Sequence, residues 1–149
     1  MIKISNLNKS FGNLNVLKNI SFEVSKGEII AVIGPSGTGK STLLRCMNYL
    51  EKPDSGKIEI EGFNVDFSNI SKKEIYSLRR HSCMVFQQYN LFKNKTVIEN
   101  LLEPLLHVKK MSKEEAVKIA EGLLKKVSML DKKDEYPSRL SGGQQQRAF

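Results

Sequence analysis

Two hydrophobic periods divide this chain. Near its start apolar and polar positions alternate: Ile2-Lys3-Ile4, then Ile20 to Val24, then Lys57 to Glu61, where Ile58 and Ile60 share one side. A period of two predicts strands with one face covered, because successive side chains point to opposite sides of the pleat. Lys26-Gly27-Glu28 and Pro53-Asp54-Ser55-Gly56 read as turns between them. Two further runs are apolar without alternation, Ile29-Ile30-Ala31-Val32-Ile33 and Cys83-Met84-Val85-Phe86. Both predict strands buried on two faces. From Thr96 onward the period is helical, and Ala116, Ala120, Leu123, Val127 and Leu130 fall on one helix face.

Helix starts are written in side chains that satisfy the first free backbone N–H groups. Ser71 with Glu74, Thr96 with Glu99, Ser112 with Glu115, and Ser141 with Gln144 all have capping-box spacing. The first of these predicts a helix from Lys72 to about Arg80, and the period after residue 41 predicts another from Thr42 to Leu50. The expectation is one α/β domain, strand-rich over about 1–95 and helical over about 96–149. No internal repeat or linker-like tract interrupts it.

Chemistry concentrates where the first apolar run ends. Gly34-Pro35-Ser36-Gly37-Thr38-Gly39-Lys40-Ser41 follows Ile33 directly and fits the phosphate-binding loop, G-x-x-x-x-G-K-[ST], in its strand–loop–helix context. Glycines let the backbone curl until successive N–H groups point at one anion. Lys40 then reaches the outer phosphates, and the Ser41 hydroxyl can ligate Mg2+. The following helix adds its positive end. A second anion-binding surface stands 100 positions after Lys40, in Leu140-Ser141-Gly142-Gly143-Gln144-Gln145-Gln146-Arg147. There a capped helix start carries paired glycines that leave backbone N–H groups open.

Composition adds little to this picture but excludes several classes. The chain has 149 residues, 40% hydrophobic and 27% charged, which suits a globular domain. No apolar run approaches the roughly 20 residues of a membrane span. The start, Met1-Ile2-Lys3-Ile4, lacks a signal peptide's apolar segment, so cytosolic residence is expected. The net charge of +8 is spread over lysine doublets such as Lys72-Lys73 and Lys109-Lys110, a solvated surface and not a nucleic-acid motif. Cys46 and Cys83 read as buried reduced thiols. His81 and His107 show no metal-ligand spacing and receive no role.

Taken together, the two glycine motifs resemble those of the nucleotide-binding subunits of ATP-binding cassette (ABC) transporters, whose signature LSGGQ matches residues 140–144. The resemblance runs from Met1 to Phe149. It implies a phosphate-loop ATPase core with an N-terminal β subdomain and a helical subdomain. It also implies that Gly34, Pro35, Ser36, Gly37, Thr38, Gly39, Lys40, Ser41 and Thr42 contact nucleotide. Met84 to Gln88 resembles the family's Q-loop, so Gln87 takes the position that senses Mg2+ and the attacking water and faces the membrane partner. Phe11 resembles the aromatic residue that stacks on adenine. Ser141, Gly142, Gly143 and Gln144 would close on ATP held by a second subunit, head to tail. ATP and Mg2+ are the implied cofactors.

Several stretches, among them Leu44 to Pro53 and Phe86 to Phe92, are similar to the polar amino-acid importer branch. That branch implies an integral-membrane permease as partner, an extracytoplasmic solute-binding protein beyond it, and a place on the inner face of the cell membrane. Other readings are an importer subunit for another solute and a nucleotide-binding module without turnover. A DNA-handling cassette would carry long insertions between the motifs, against the spacing seen here. The family's apolar strand ending in Asp, its catalytic Glu and its switch His should follow the signature, and residues 1–149 hold none of them. The expectation is a truncated cassette that does not hydrolyse ATP by itself.

Overall fold

The computed structural model describes residues 1–86 and 88–149. They form two compact units, Met1–Val85 and Phe86–Phe149. The change of period at Thr96 therefore falls inside the second unit, ten residues after its start, where its first helix begins.

The first unit is built on four antiparallel strands in the order β2-β1-β3-β4. They are β1 (Ile2–Phe11), β2 (Leu14–Val24), β3 (Ser55–Ile60) and β4 (Phe63–Asp66). Two-residue turns close both hairpins. The second, Glu61-Gly62, has φ of +51° and +85°, the left-handed pair that matches strand twist in a type I′ turn. Gly56 lets β3 approach β1 where their register shifts: a Cβ there would lie 2.6 Å from the Leu7 Cα. The helices α1 (Lys40–Met47) and α2 (Lys72–His81) complete this unit. Its core comprises Ile4, Leu7 and Leu17 from the first hairpin, Ile58, Ile60 and Val65 from the second, and Leu43, Cys46 and Leu78 from the helices, with Phe67.

The second unit is helical, with α3 (Val97–Glu103), α4 (Lys113–Lys126) and α5 (Gly142–Ala148). After α3 the chain widens into a π turn over Pro104–Val108. One apolar cluster joins Val97, Leu124, Met129, Leu140 and Ala148, and a second joins Leu105, Ala116 and Ala120. All four capping boxes form, side chain and backbone reciprocally bonded at each. No helix among the described residues is long and apolar enough to cross a membrane.

Four local expectations fail, three of them for a tertiary reason. Ile29 to Ile33 is not a strand, and Ile29 and Ile33 are 94% and 90% exposed. A strand exists only by its ladder, and among the described residues no strand lies alongside this run. Cys83 to Phe86 likewise forms no ladder, so Cys83 is an exposed thiol and not a buried one. The α4 face turns on Leu124, which is buried, whereas Leu123 is 46% exposed and Leu130 is also exposed. Burial at 116, 120 and 124 follows one i, i+4 row, and the i+3 step to 123 points away from it. The helix predicted from Thr42 to Leu50 runs instead from Lys40 to Met47, beginning inside the glycine loop.

Candidate functional site

In the first unit, Gly34 to Thr38 form an exposed loop that Gly39 joins to α1. Gly37 and Gly39 have φ of +83° and +89°, where a side chain would be strained. Gly39 is also pressed against the sheet. A Cβ there would fall 2.7 Å from the Val16 Cγ1 and 3.3 Å from the Leu17 Cδ2. The loop is strapped to itself: the Lys40 ammonium donates to the carbonyl oxygens of Gly34 at 2.7 Å and Pro35 at 2.6 Å. Thr38 Oγ1 donates to the same Pro35 oxygen at 2.9 Å. Ser41 and Thr42 follow in the first turn of α1.

Phe11 ends β1 at the tip of the first hairpin, 47% exposed, paired across the turn with Leu14. The hairpin links it to the loop. Val16, which meets Gly39, lies between Asn15, the partner of Ser10, and Leu17, the partner of Lys9. The structure thus brings Phe11 and the glycine loop together on one scaffold, the hairpin of β1 and β2. Sequence reading had passed over two residues in this arrangement, Val16 and Lys9. Lys9 stands two positions before Phe11, hence on the same side of the strand, and its Nζ lies 4.6 Å from the Phe11 ring centroid.

In the second unit, Ser141 caps α5. Its Oγ accepts the Gln144 N–H at 3.3 Å, and its own N–H donates to Gln144 Oε1 at 2.8 Å. Gly142 and Gly143 occupy the first turn. Leu140 anchors the motif in the apolar cluster, and Gln145 Nε2 donates to the Leu140 carbonyl at 3.1 Å. A groove of about 750 Å³ adjoins it, lined by Gln88, Tyr89, Asn90, Lys93, Ser138 and Gln145. Gln87 itself lies outside the described residues.

One electrostatic contrast separates the helices. α2, α3 and α4 each carry a glutamate in the first turn, which offsets the positive helix end. α1 and α5, the two helices that begin within the glycine motifs, carry no acidic residue there. The other reactive groups lie apart from this chemistry. Cys46 is buried in α1, and burial pushes its thiol up to about 11, so it stays protonated and inert. His81 stacks on Phe63 at 5.1 Å and donates from Nδ1 to the Ser77 carbonyl, a structural role.

Comparison with known proteins agrees with this architecture. The ABC transporter family model matches residues 17–149, so the chain belongs to that family. It is 52% identical over 147 residues to the L-cystine import ATP-binding protein TcyN of Bacillus subtilis (strain 168), covering 99% of this chain and 57% of that one. Against the arginine transport ATP-binding protein ArtM of the same organism it is 50% identical over 147 residues, covering 99% and 60%. Among solved structures, a dimeric post-hydrolysis state of the ATP-binding cassette MJ0796 bound to ADP and Pi superposes with a TM-score of 0.81 at 35% identity, covering 99% of this chain and 66% of that chain. The chain therefore spans about three-fifths of the length of the curated relatives it matches.

Proposed function

We propose that these residues are the nucleotide-holding part of the motor subunit of an importer for polar amino acids, coupling ATP binding and hydrolysis to uptake. The observation that carries it is the glycine loop: Lys40 straps it, Gly39 fits only without a Cβ, and the helix beyond has no first-turn acid. A cradle of that kind suits a polyphosphate. The names of TcyN and ArtM supply the solute class.

In this reading Lys40 releases the Gly34 and Pro35 carbonyls and takes the outer phosphate oxygens, while the backbone from Gly34 to Thr42 curls around them and every residue in it except Pro35 offers an N–H group. Ser41 and Gln87 would hold Mg2+, and the ion would supply positive charge against the phosphates. Phe11 stacks on the base. Ser141, Gly142, Gly143 and Gln144 face nucleotide bound to a second subunit, as in a head-to-tail dimer. The groove beside Gln88 to Lys93 is the surface offered to an integral-membrane permease, which an extracytoplasmic binding protein supplies. The subunit works on the inner face of the membrane. Residues 1–149 by themselves bind nucleotide without sustained turnover, because positioning is only part of phosphoryl transfer.

The test is titration with ATP. Lys40→Ala is expected to weaken binding on the order of 10- to 100-fold, the worth of a hydrogen bond to a charged group. Unchanged affinity would sink the loop assignment. Steady Mg2+-dependent phosphate release from residues 1–149, lost on Lys40→Ala, would refute binding without turnover.

A further inference from the structure

Lys9 is a buried cation with a defined set of neighbours. Its ammonium donates to the Lys52 carbonyl at 2.8 Å and pairs with Glu51 Oε1 at 2.7 Å, with Asp54 Oδ1 at 4.0 Å. The same Asp54 accepts the Ser10 N–H at 2.6 Å, and its own N–H donates to the Asn8 carbonyl at 2.9 Å. The segment after α1 is thereby clasped to the end of β1. Over the cation lies the Phe11 ring, whose centroid is 4.6 Å from Nζ, within cation–π range.

Phe11 has little else to fix it. It stands outside the core cluster, and its cross-strand partner Leu14 is exposed. A ring free to turn would have to be ordered each time a base stacked on it. We propose that Lys9 is a positioning residue for the nucleotide: anchored by Glu51 and the Lys52 carbonyl, it occupies one face of Phe11 and presents the ring to a purine base. This rests on Phe11 being the base-stacking residue. Lys9 also couples the two ends of the site mechanically, since the segment it grips begins just past α1, the helix that opens at the phosphate loop. The Glu51 hydrogen bond raises the Lys9 pKa, so the cation is permanent at any physiological pH.

The experiment compares ATP with inorganic tripolyphosphate, which has the phosphates but no base, as ligands of the full chain. Lys9→Met keeps the apolar stem and removes the charge. It should weaken ATP binding about 2- to 12-fold, the cost of ordering one freed side chain at each binding event, and leave tripolyphosphate binding unchanged. Lys9→Arg should restore ATP affinity to within about 2-fold, since guanidinium also stacks on rings. In a Phe11→Ala background Lys9→Met should have no further effect.

Equal losses for both ligands would make Lys9 a structural residue and overturn the proposal. So would full additivity with Phe11→Ala, or an unchanged ATP affinity in Lys9→Met while Phe11→Ala binds ATP poorly. If Phe11→Ala itself binds ATP normally, the stacking role of Phe11 fails first and the proposal with it. Should Lys9→Met not fold, Glu51→Ala carries a weaker form of the comparison: it removes the ion pair and leaves the ammonium only the Lys52 carbonyl and the more distant Asp54, so a smaller loss confined to ATP is expected, and equal losses for both ligands overturn the proposal.

Discussion

Replacing Gly39 by alanine separates two demands that meet at one residue. The first is conformational: at φ +89° an alanine pays for a left-handed backbone, about 1–2 kcal/mol. The second is steric. The new Cβ would sit 2.7 Å from the Val16 Cγ1, with the Val16 carbonyl oxygen at 3.4 Å. Valine is branched at Cβ and stiff at χ1, so it cannot swing aside as a long side chain would. Overpacking of this sort adds about 1–3 kcal/mol. Gly37 is the internal control, because its φ is +83° but a Cβ there meets nothing within 4 Å. Gly37→Ala should therefore show only the backbone part. The expected outcome is a loss of about 2–5 kcal/mol for Gly39→Ala against about 1–2 kcal/mol for Gly37→Ala. Urea unfolding followed by far-UV circular dichroism measures both, with a constant slope required for the comparison. Adding Val16→Ala to Gly39→Ala should recover the steric part, despite the methyls lost. Equal destabilisation of the two glycine variants would refute the close approach of loop and sheet.

Two further outcomes test the packing and the caps. Leu124→Ala, at a buried position, should destabilise the second unit by about 2–5 kcal/mol. Leu123→Ala next to it should cost less than about 1 kcal/mol, and the reverse order in thermal melts would restore the helix face first read from the sequence. In the α2 capping box the Ser71 hydroxyl, and then its backbone N–H, hold the Glu74 carboxyl below its ordinary pKa. A carboxyl with a depressed folded-state pKa gives stability that is full above its unfolded value and is lost as pH falls through the folded one. Carboxyl NMR should show Glu74 titrating at a lower pH than a free glutamate, moving upward in Ser71→Ala. An unmoved midpoint would mean that the hydroxyl bond does not form in solution.

How far the chain could be read without its fold follows the range of the forces involved. Capping boxes need only residues three apart, and all four form where the side chains announce them. Alternation needs only one covered face, and the runs at Ile2, Ile20 and Lys57 all lie in the antiparallel sheet. The glycine loop was legible because its conformational demand is local: left-handed φ at Gly37 and Gly39 is available to few other residues. What sequence alone could not decide depends on a neighbour. Ile29 to Ile33 has a buried strand's composition, yet a strand needs another strand beside it, and among the described residues this run has none. Leu123 and Leu124 are chemically identical, and only the direction in which α4 meets its neighbours separates the exposed one from the buried one. Lys9 shows the same limit for the site. Its place two residues before Phe11 allowed a shared strand face, but the cation reaches that ring because the segment Glu51 to Asp54, more than forty positions away, folds back to hold it.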